Sequence, residues 1–449
     1  MAKLSLEVVI AGKGIAFSEG QRGQDTLLRT APSLLGTGEG VQRSLAVVTP
    51  WYPSVNHPFS GSFVQTQVAT VCNHFDRVDV YHTEDWWTPR SEAETRRIRS
   101  CFAGLLRGGP HHARVQVRSV LCSEAWLTRV PVPVWTGRHR VERIRVHENA
   151  LRAVLPADRI EADVVHGHVG LFGGWLACRL SRPEAHIVVT EHASFTRDML
   201  AYPEARAIYA QVLDRCAAYL CVSEVLRKPL VAAFPEHAAK IHVVPNIVPV
   251  ENVAFRLEPV RELRHWLYVG GLYEHKGVWQ VLEAFGIIAR EDPRIELSMI
   301  GDGVLFDALR QRAAELGIGD RIHLLGPLPH DEVLAAYHRF DLLVHASRAE
   351  TFGMTVVEAL ASGIPVLVTR CGGPEEVFTG IEGIAGELVP IDENPQAIVV
   401  GYRLLAARLD NLDLNRARRK MLSSYSASTV AEQILCHYVG ERAAIAMRS

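Results

Sequence analysis

The stretch FDLLVHASRAETFGMTVVEALASGIPVLVT, residues 340–369, decides the fold. Leu342 to Ala346 is a short apolar run ending in small residues, the pattern of a buried strand. A loop follows, then a helical pattern from Thr355 to Ala361 that Gly363 and Pro365 stop. Pro365 to Thr369 is a second short apolar run, so the stretch spells strand, helix, strand: a parallel βαβ unit.

Two acidic residues give this unit chemical interest. Glu350 falls in the loop and Glu358 on the helix, with Phe352-Gly353-Met354 between them. The first N–H groups of the helix have no partner inside it, and Gly353 lets an anion approach them. One carboxylate beside that anion site and another along the helix can accept from hydroxyls on either side of a diphosphate, as on a sugar nucleotide. Thr355-x-x-Glu358 also reads as a capping box, in which the glutamate only returns a hydrogen bond to the backbone. The wider run SRAETFGMTVVEALASGIPVL closely resembles the E-x(7)-E signature of retaining glycosyltransferases of family 4.

That resemblance covers roughly residues 44 to 445 and implies the GT-B fold: α/β, two Rossmann-like doubly wound parallel-sheet domains facing each other across a cleft. It implies residues 44–250 as an acceptor domain, 251–427 as a nucleotide-sugar-binding domain, and 428–449 as a helix crossing back to the first. Residues 1–43 read as a flexible extension, rich in Gly, Ser, Thr and Gln without a sustained period.

Bulk properties agree with a multidomain globular protein. The 449 residues are 48% hydrophobic and 22% charged, and the formal charge of −2 argues against nucleic acid as main partner. Eight cysteines without a C-x-x-C pair suit a reducing compartment, so the expected location is cytoplasmic. Glu7 breaks the apolar run a signal peptide would need, and no window approaches a membrane span. Between Trp86 and Arg152 stand thirteen arginines against five glutamates, with Trp86, Trp87, Trp126 and Trp135 interleaved. This section reads either as a peripheral contact with an anionic acceptor or the inner face of a membrane, or as a solvated helix face.

Along the chain, Ser44–Thr49, Arg77–Tyr81, Ala162–His166, His186–His192 and Tyr219–Ser223 read as strands of one α/β domain. Trp266–Gly270, Ile295–Gly303, Arg321–Pro329, Asp341–Ser347 and Pro365–Thr369 hold those of a second. The resemblance supplies roles for particular residues. Lys276, in VGGLYEHKG, stands where the family sets a lysine on the donor diphosphate; K-G there also reads as a plain helix start. Gly271 replaces the family's arginine, which leaves part of that clamp open. Glu350 is implied for the donor sugar, Glu358 for the ribose, and Phe352, Gly353, Met354 and Thr355 for the phosphate end. Backbone groups around Leu328 are implied for the base, and Cys371-Gly-Gly-Pro-Glu375 for the acceptor side. His192, at a strand tip, is implied near the reacting carbon, with Arg197 and His168 on the acceptor side. Gly61 either lets the backbone approach substrate or serves as a turn glycine.

The expected activity is transfer of a hexosyl group from a UDP- or GDP-sugar to a hydroxyl of a glycan, lipid or small molecule, with retention. No D-x-D pair occurs, so no metal and no other cofactor is expected. The alternative is a degenerate sugar-nucleotide- or glycan-binding protein.

Overall fold

The computed structural model describes residues 43–54, 59–87, 114–119, 122–134 and 140–439. The expected extension, apart from Arg43, and Arg90, Arg96, Arg97, Arg99, Arg107, Trp135 and Arg138 of the basic section lie outside the described residues. Two compact units emerge, and neither follows a single cut near residue 250. Among the described residues, one comprises those between 43 and 190, those between 203 and 219, and 435–439; the other comprises Glu191–Tyr202 and Leu220–Ile434.

An eight-stranded sheet contains β1 (Ser44–Thr49), β2 (Arg77–Trp87), β3 (Arg114–Ser119), β4 (Cys122–Val134), β5 (Val164–His168), β6 (His186–Glu191), β7 (Ala218–Cys221) and β8 (Ile241–Val243). Its order is β3-β4-β2-β1-β5-β6-β7-β8. β1 lies parallel to β2 and β5, while β3 runs antiparallel on β4. The basic section thus contributes an edge hairpin and the helix Arg140–Val154. Several of its arginines have internal partners: Arg129 meets His82 and the Pro53 carbonyl, Arg143 pairs with Asp85, and Arg152 with Glu148. Among the described residues, no helix is long and apolar enough to cross a membrane.

β5 extends past the expected strand end. Gly167 pairs with Val48 and His168 with Thr190, so His168 is a sheet residue. Its ring is fully buried and stacks on His166 with centroids 4.3 Å apart.

The six-stranded sheet comprises β9 (His265–Val269), β10 (Glu296–Ile300), β11 (Ile322–Gly326), β12 (Leu342–His345), β13 (Val366–Thr369) and β14 (Gly386–Val389), in the order β11-β10-β9-β12-β13-β14. Every ladder in it is parallel. β12 and β13 are buried at every position because helices cover both faces, which is why both read as unbroken apolar runs. Trp266 of β9 is wholly buried against Phe285 and Tyr402, at 5.5 and 4.8 Å between centroids. The chain leaves central β9 toward β10 and β11, then returns to the other side of β9 at β12. The order therefore reverses between β9 and β12, the position at which a doubly wound sheet opens its ligand crevice at the strands' carboxyl ends.

The terminal helix Ala427–Val439 places Tyr438 in a buried polar network of the first unit. Its hydroxyl meets His166 Nδ1 at 2.6 Å and Gln67 Nε2 at 3.4 Å, and His166 Nε2 meets Thr190 Oγ1 at 2.7 Å. His437 offers its carbonyl to His186 Nε2 at 2.7 Å. Gln67 lies 3.0 Å from the same His166 nitrogen, so Tyr438→Phe should cost only about 1 kcal/mol. Tyr438→Ala also opens a cavity and should cost roughly 3–5 kcal/mol. Urea unfolding followed by fluorescence separates the two; equal losses would mean that the ring contributes nothing.

Candidate active site

The reversal between β9 and β12 gathers the chemistry. Lys276 lies on the loop after β9, in the turn Glu274–Lys276, and Glu350 on the loop after β12. Their side chains meet at 2.5 Å from Nζ to Oε1. Ser347 Oγ donates to the same oxygen at 2.9 Å, and His345 Nε2 approaches it at 3.5 Å. Burial pushes the Glu350 carboxyl up, but the His345 contact and the Lys276 ammonium outweigh it and hold the group well below the usual carboxylate range. All three contacts fall on Oε1. Oε2 has none of these three contacts and keeps its acceptor capacity.

The backbone of Glu350 is gripped by the loop after β13. Its N–H donates to the Cys371 carbonyl at 2.8 Å, and its carbonyl accepts from the Gly373 N–H at 2.9 Å. The loops fit only because both carry glycine. A Cβ on Gly373 would stand 2.4 Å from the Phe352 nitrogen, and one on Gly353 would stand 2.9 Å from the Pro374 ring. Gly353 also takes φ 100° to start the helix Met354–Ala361. The segment around Cys371, expected on the acceptor side, therefore buttresses the glutamate loop.

The helix begins at Met354, where the first N–H groups have no partner inside the helix, and Met354 and Thr355 are partly exposed. Phe352 is buried edge-on against Tyr425 at 5.4 Å. Glu358 makes no capping box. Its Oε1 accepts from His330 Nε2 and its Oε2 from the Tyr337 hydroxyl, each at 2.8 Å. Leu328, half-buried, stands two residues before His330 in the loop that joins β11 to the helix His330–Ala336.

Gly271 accepts the Tyr268 hydroxyl at its carbonyl, 2.9 Å away. A Cβ there would lie 2.7 Å from the Tyr273 ring, so a side chain at 271 must displace that ring. Arg348, the nearby arginine, is spent on Glu393 at 2.6 Å. His192 follows β6 and is buried; its N–H and that of Ala193 donate to Glu191 Oε1 at 3.0 and 2.9 Å. Arg197 is exposed on the short helix Thr196–Met199. Gly61 sits at φ 68°, where a Cβ would be 2.2 Å from the Trp51 carbonyl oxygen, so the turn by itself accounts for glycine. His168, expected on the acceptor side, presents no surface to an acceptor, because β5 carries it into the core; burial alone lowers its pKa to about 3.

Sequence reading missed His345, Ser347, Tyr268, His330 and Tyr337. A signal existed for the first two, since residues 343, 345, 347 alternate on one side of an extended chain. His330 and Tyr337 reach Glu358 across 28 and 21 residues, for which no local pattern exists. Among the described residues, no three His, Cys, Asp or Glu side chains are grouped to hold a metal ion.

Two α/β units, one built on a wholly parallel sheet with a lysine–glutamate pair at its switch point, define a GT-B architecture. Solved structures share it: sucrose-phosphate synthase from Thermosynechococcus elongatus superposes with TM-score 0.66 at 16% identity, over 89% of this chain and 98% of that one. Anabaena HepE, solved in complex with UDP and glucose, gives TM-score 0.60 at 14% identity, over 89% and 100%. The family model "Glycosyl transferases group 1" matches residues 251–420, and "Glycosyltransferase Family 4" matches residues 102–252. The chain belongs to the family 4 glycosyltransferases. Among curated relatives, alpha-monoglucosyldiacylglycerol synthase of Streptococcus pneumoniae is 27% identical over 54% of this chain and 60% of its own length. D-inositol 3-phosphate glycosyltransferase of Corynebacterium glutamicum is 31% identical over 51% and 60%. The matches thus span little more than half the length of these relatives.

Glu350 has a lower folded-state pKa than its ordinary value of 4.5, so the stability it contributes is full above that value and is lost as pH falls through the folded one. Lys276→Met raises the folded value and leaves a carboxylate short of a partner. It should cost about 1–3 kcal/mol at neutral pH, and acid unfolding should begin at higher pH. Adding Glu350→Gln should recover part of the loss. Superimposable acid-unfolding curves for wild type and Lys276→Met would show that the pair contributes nothing.

Proposed function

We propose that this protein is a retaining glycosyltransferase that moves a hexosyl group from a UDP- or GDP-sugar to an acceptor hydroxyl, without a metal. The observation that carries the reading is the contact of Lys276 with Glu350 at the β9–β12 reversal, in the loop that runs into the Met354–Ala361 helix. Breaking the glycosidic bond puts negative charge on the leaving diphosphate. An ammonium and a helix amino-terminus at that place stabilise the developing charge more than the bound donor. Glu350 neutralises Lys276, so the lysine is pre-oriented by its partner. Glu350 Oε2 then accepts from a hydroxyl of the donor sugar.

Glu358 takes the ribose, the backbone around Leu328 takes the base, and His192 stands near the reacting carbon. Transfer proceeds on the front face of the sugar, with the departing diphosphate helping to remove the acceptor proton. Relatives named for a glucosyldiacylglycerol product and for an inositol phosphate support a hydroxyl-bearing acceptor. UDP bound in the HepE structure supports a nucleotide donor. The protein works in the cytoplasm, with Arg/Trp-rich residues 86–152 as its contact with the inner membrane face or an anionic acceptor.

A thermal-shift panel of UDP- and GDP-sugars identifies the donor, because a ligand that binds only the folded state raises the melting point. With that donor, Glu358→Ala should raise KM about tenfold, and Glu350→Ala should lower kcat by about a hundredfold or more. EDTA should leave the rate unchanged. Negligible effects of both substitutions would overturn the assignment, and a rate abolished by EDTA and restored by a divalent cation would overturn metal independence.

A further inference from the structure

We propose that His330 is a positioning residue of the donor site: it orients the Glu358 carboxylate for the ribose diol and makes nucleotide affinity depend on pH. The inference rests on the nucleotide-sugar reading above and deepens its ribose subsite.

The geometry begins with a carboxylate whose side chain is only 4% exposed. A buried carboxylate is costly unless donors answer each oxygen. Tyr337 caps Oε2 and His330 caps Oε1, both at 2.8 Å. Each carboxylate oxygen can accept twice, so one lone pair remains on each. Two acceptors side by side match two adjacent hydroxyls, which a ribose presents and a 2′-deoxyribose does not.

The two capping groups are not equivalent. Tyr337 is wholly buried, so packing fixes it. His330 is 36% exposed and stands at the start of the helix His330–Ala336, two residues past Leu328. It therefore links the loop assigned to the base with the carboxylate assigned to the sugar. Among the described residues, no lysine or arginine pairs with Glu358, so imidazolium is the one cation available to it. The groups facing His330 are Glu358 from the neighbouring helix and Asp331 beside it. The hydrogen bond to Glu358 outweighs burial and raises the His330 pKa above 6.5. Protonated His330 then makes a charge-assisted bond, which weakens as pH rises through the raised value.

The test is calorimetric titration of the full chain with UDP, and with GDP as second probe, between about pH 6 and pH 9. His330→Leu should weaken nucleotide binding about five- to twentyfold near pH 6.5, yet change it by less than about twofold in a Glu358→Gln background. His330→Gln keeps an N–H donor without titrating. Relative to that variant, wild-type affinity should fall about three- to tenfold across the pH range, the nucleotide's own ionisation cancelling in the ratio. With the donor, both His330 variants should show the loss chiefly as a raised KM, and a loss confined to kcat would overturn the positioning role. A mere tether between helices would lower the melting point without moving the pH profile. If Glu358→Gln weakens binding and His330→Leu does not, or if the wild-type and His330→Gln profiles run parallel, the role of His330 is overturned while the nucleotide reading stands. If the wild type binds neither UDP nor GDP, both fall together.

Discussion

A carboxylate set at the end of a parallel sheet must have its charge answered, and the six-stranded sheet is arranged around answering that of Glu350. Lys276 arrives from the loop after β9, Ser347 and His345 from β12 and its loop, and the grip on the backbone from the loop after β13. Three successive strand-end loops are therefore held in register by one side chain and its peptide. The sheet order makes this possible, since only at a reversal do neighbouring loops part far enough to admit a ligand between them.

The helix that follows the Glu350 loop, Met354–Ala361, carries a second carboxylate under a different regime. Glu350 is paired with an ammonium, whereas Glu358 is capped by a buried tyrosine and a half-exposed histidine. The His345 contact and the Lys276 ammonium hold the first well below the usual carboxylate range. The second depends on hydrogen bonds from groups of lower polarity, one of which titrates. Two glutamates with equal prominence in the sequence thus have different electrostatic characters, set by what packs over each.

Glycines decide how closely the loops approach. Gly353 and Gly373 face each other's loops where any side chain would collide with Pro374 or with the Phe352 backbone. That fit transmits the position of β13 to the start of the Met354–Ala361 helix. Gly271, by contrast, is crowded by a tyrosine ring at an exposed edge, a contact that a side-chain rotation would relieve.

The strand-helix-strand pattern of residues 340–369, the alternation that implies a second α/β unit, and Glu350 and Lys276 as separate candidates were all legible in the sequence, because each rests on local periodicity or a short motif; that the two side chains meet was not. The Glu350 loop could be placed from its flanking strands alone. What packing decided was of another kind: that β5 runs two residues further and buries His168, that the Cys371 loop braces Glu350, and that Glu358 bonds to His330 and Tyr337 instead of its own helix start. Those contacts join residues tens of positions apart, and no periodicity along a chain encodes which distant donor will reach a buried acceptor. Local pattern placed β12, β13, the helix between them and the charged groups nearby, but not the β3–β4 hairpin or β14; packing chose each group's partner, because burial makes an unanswered charge too costly to leave to chance.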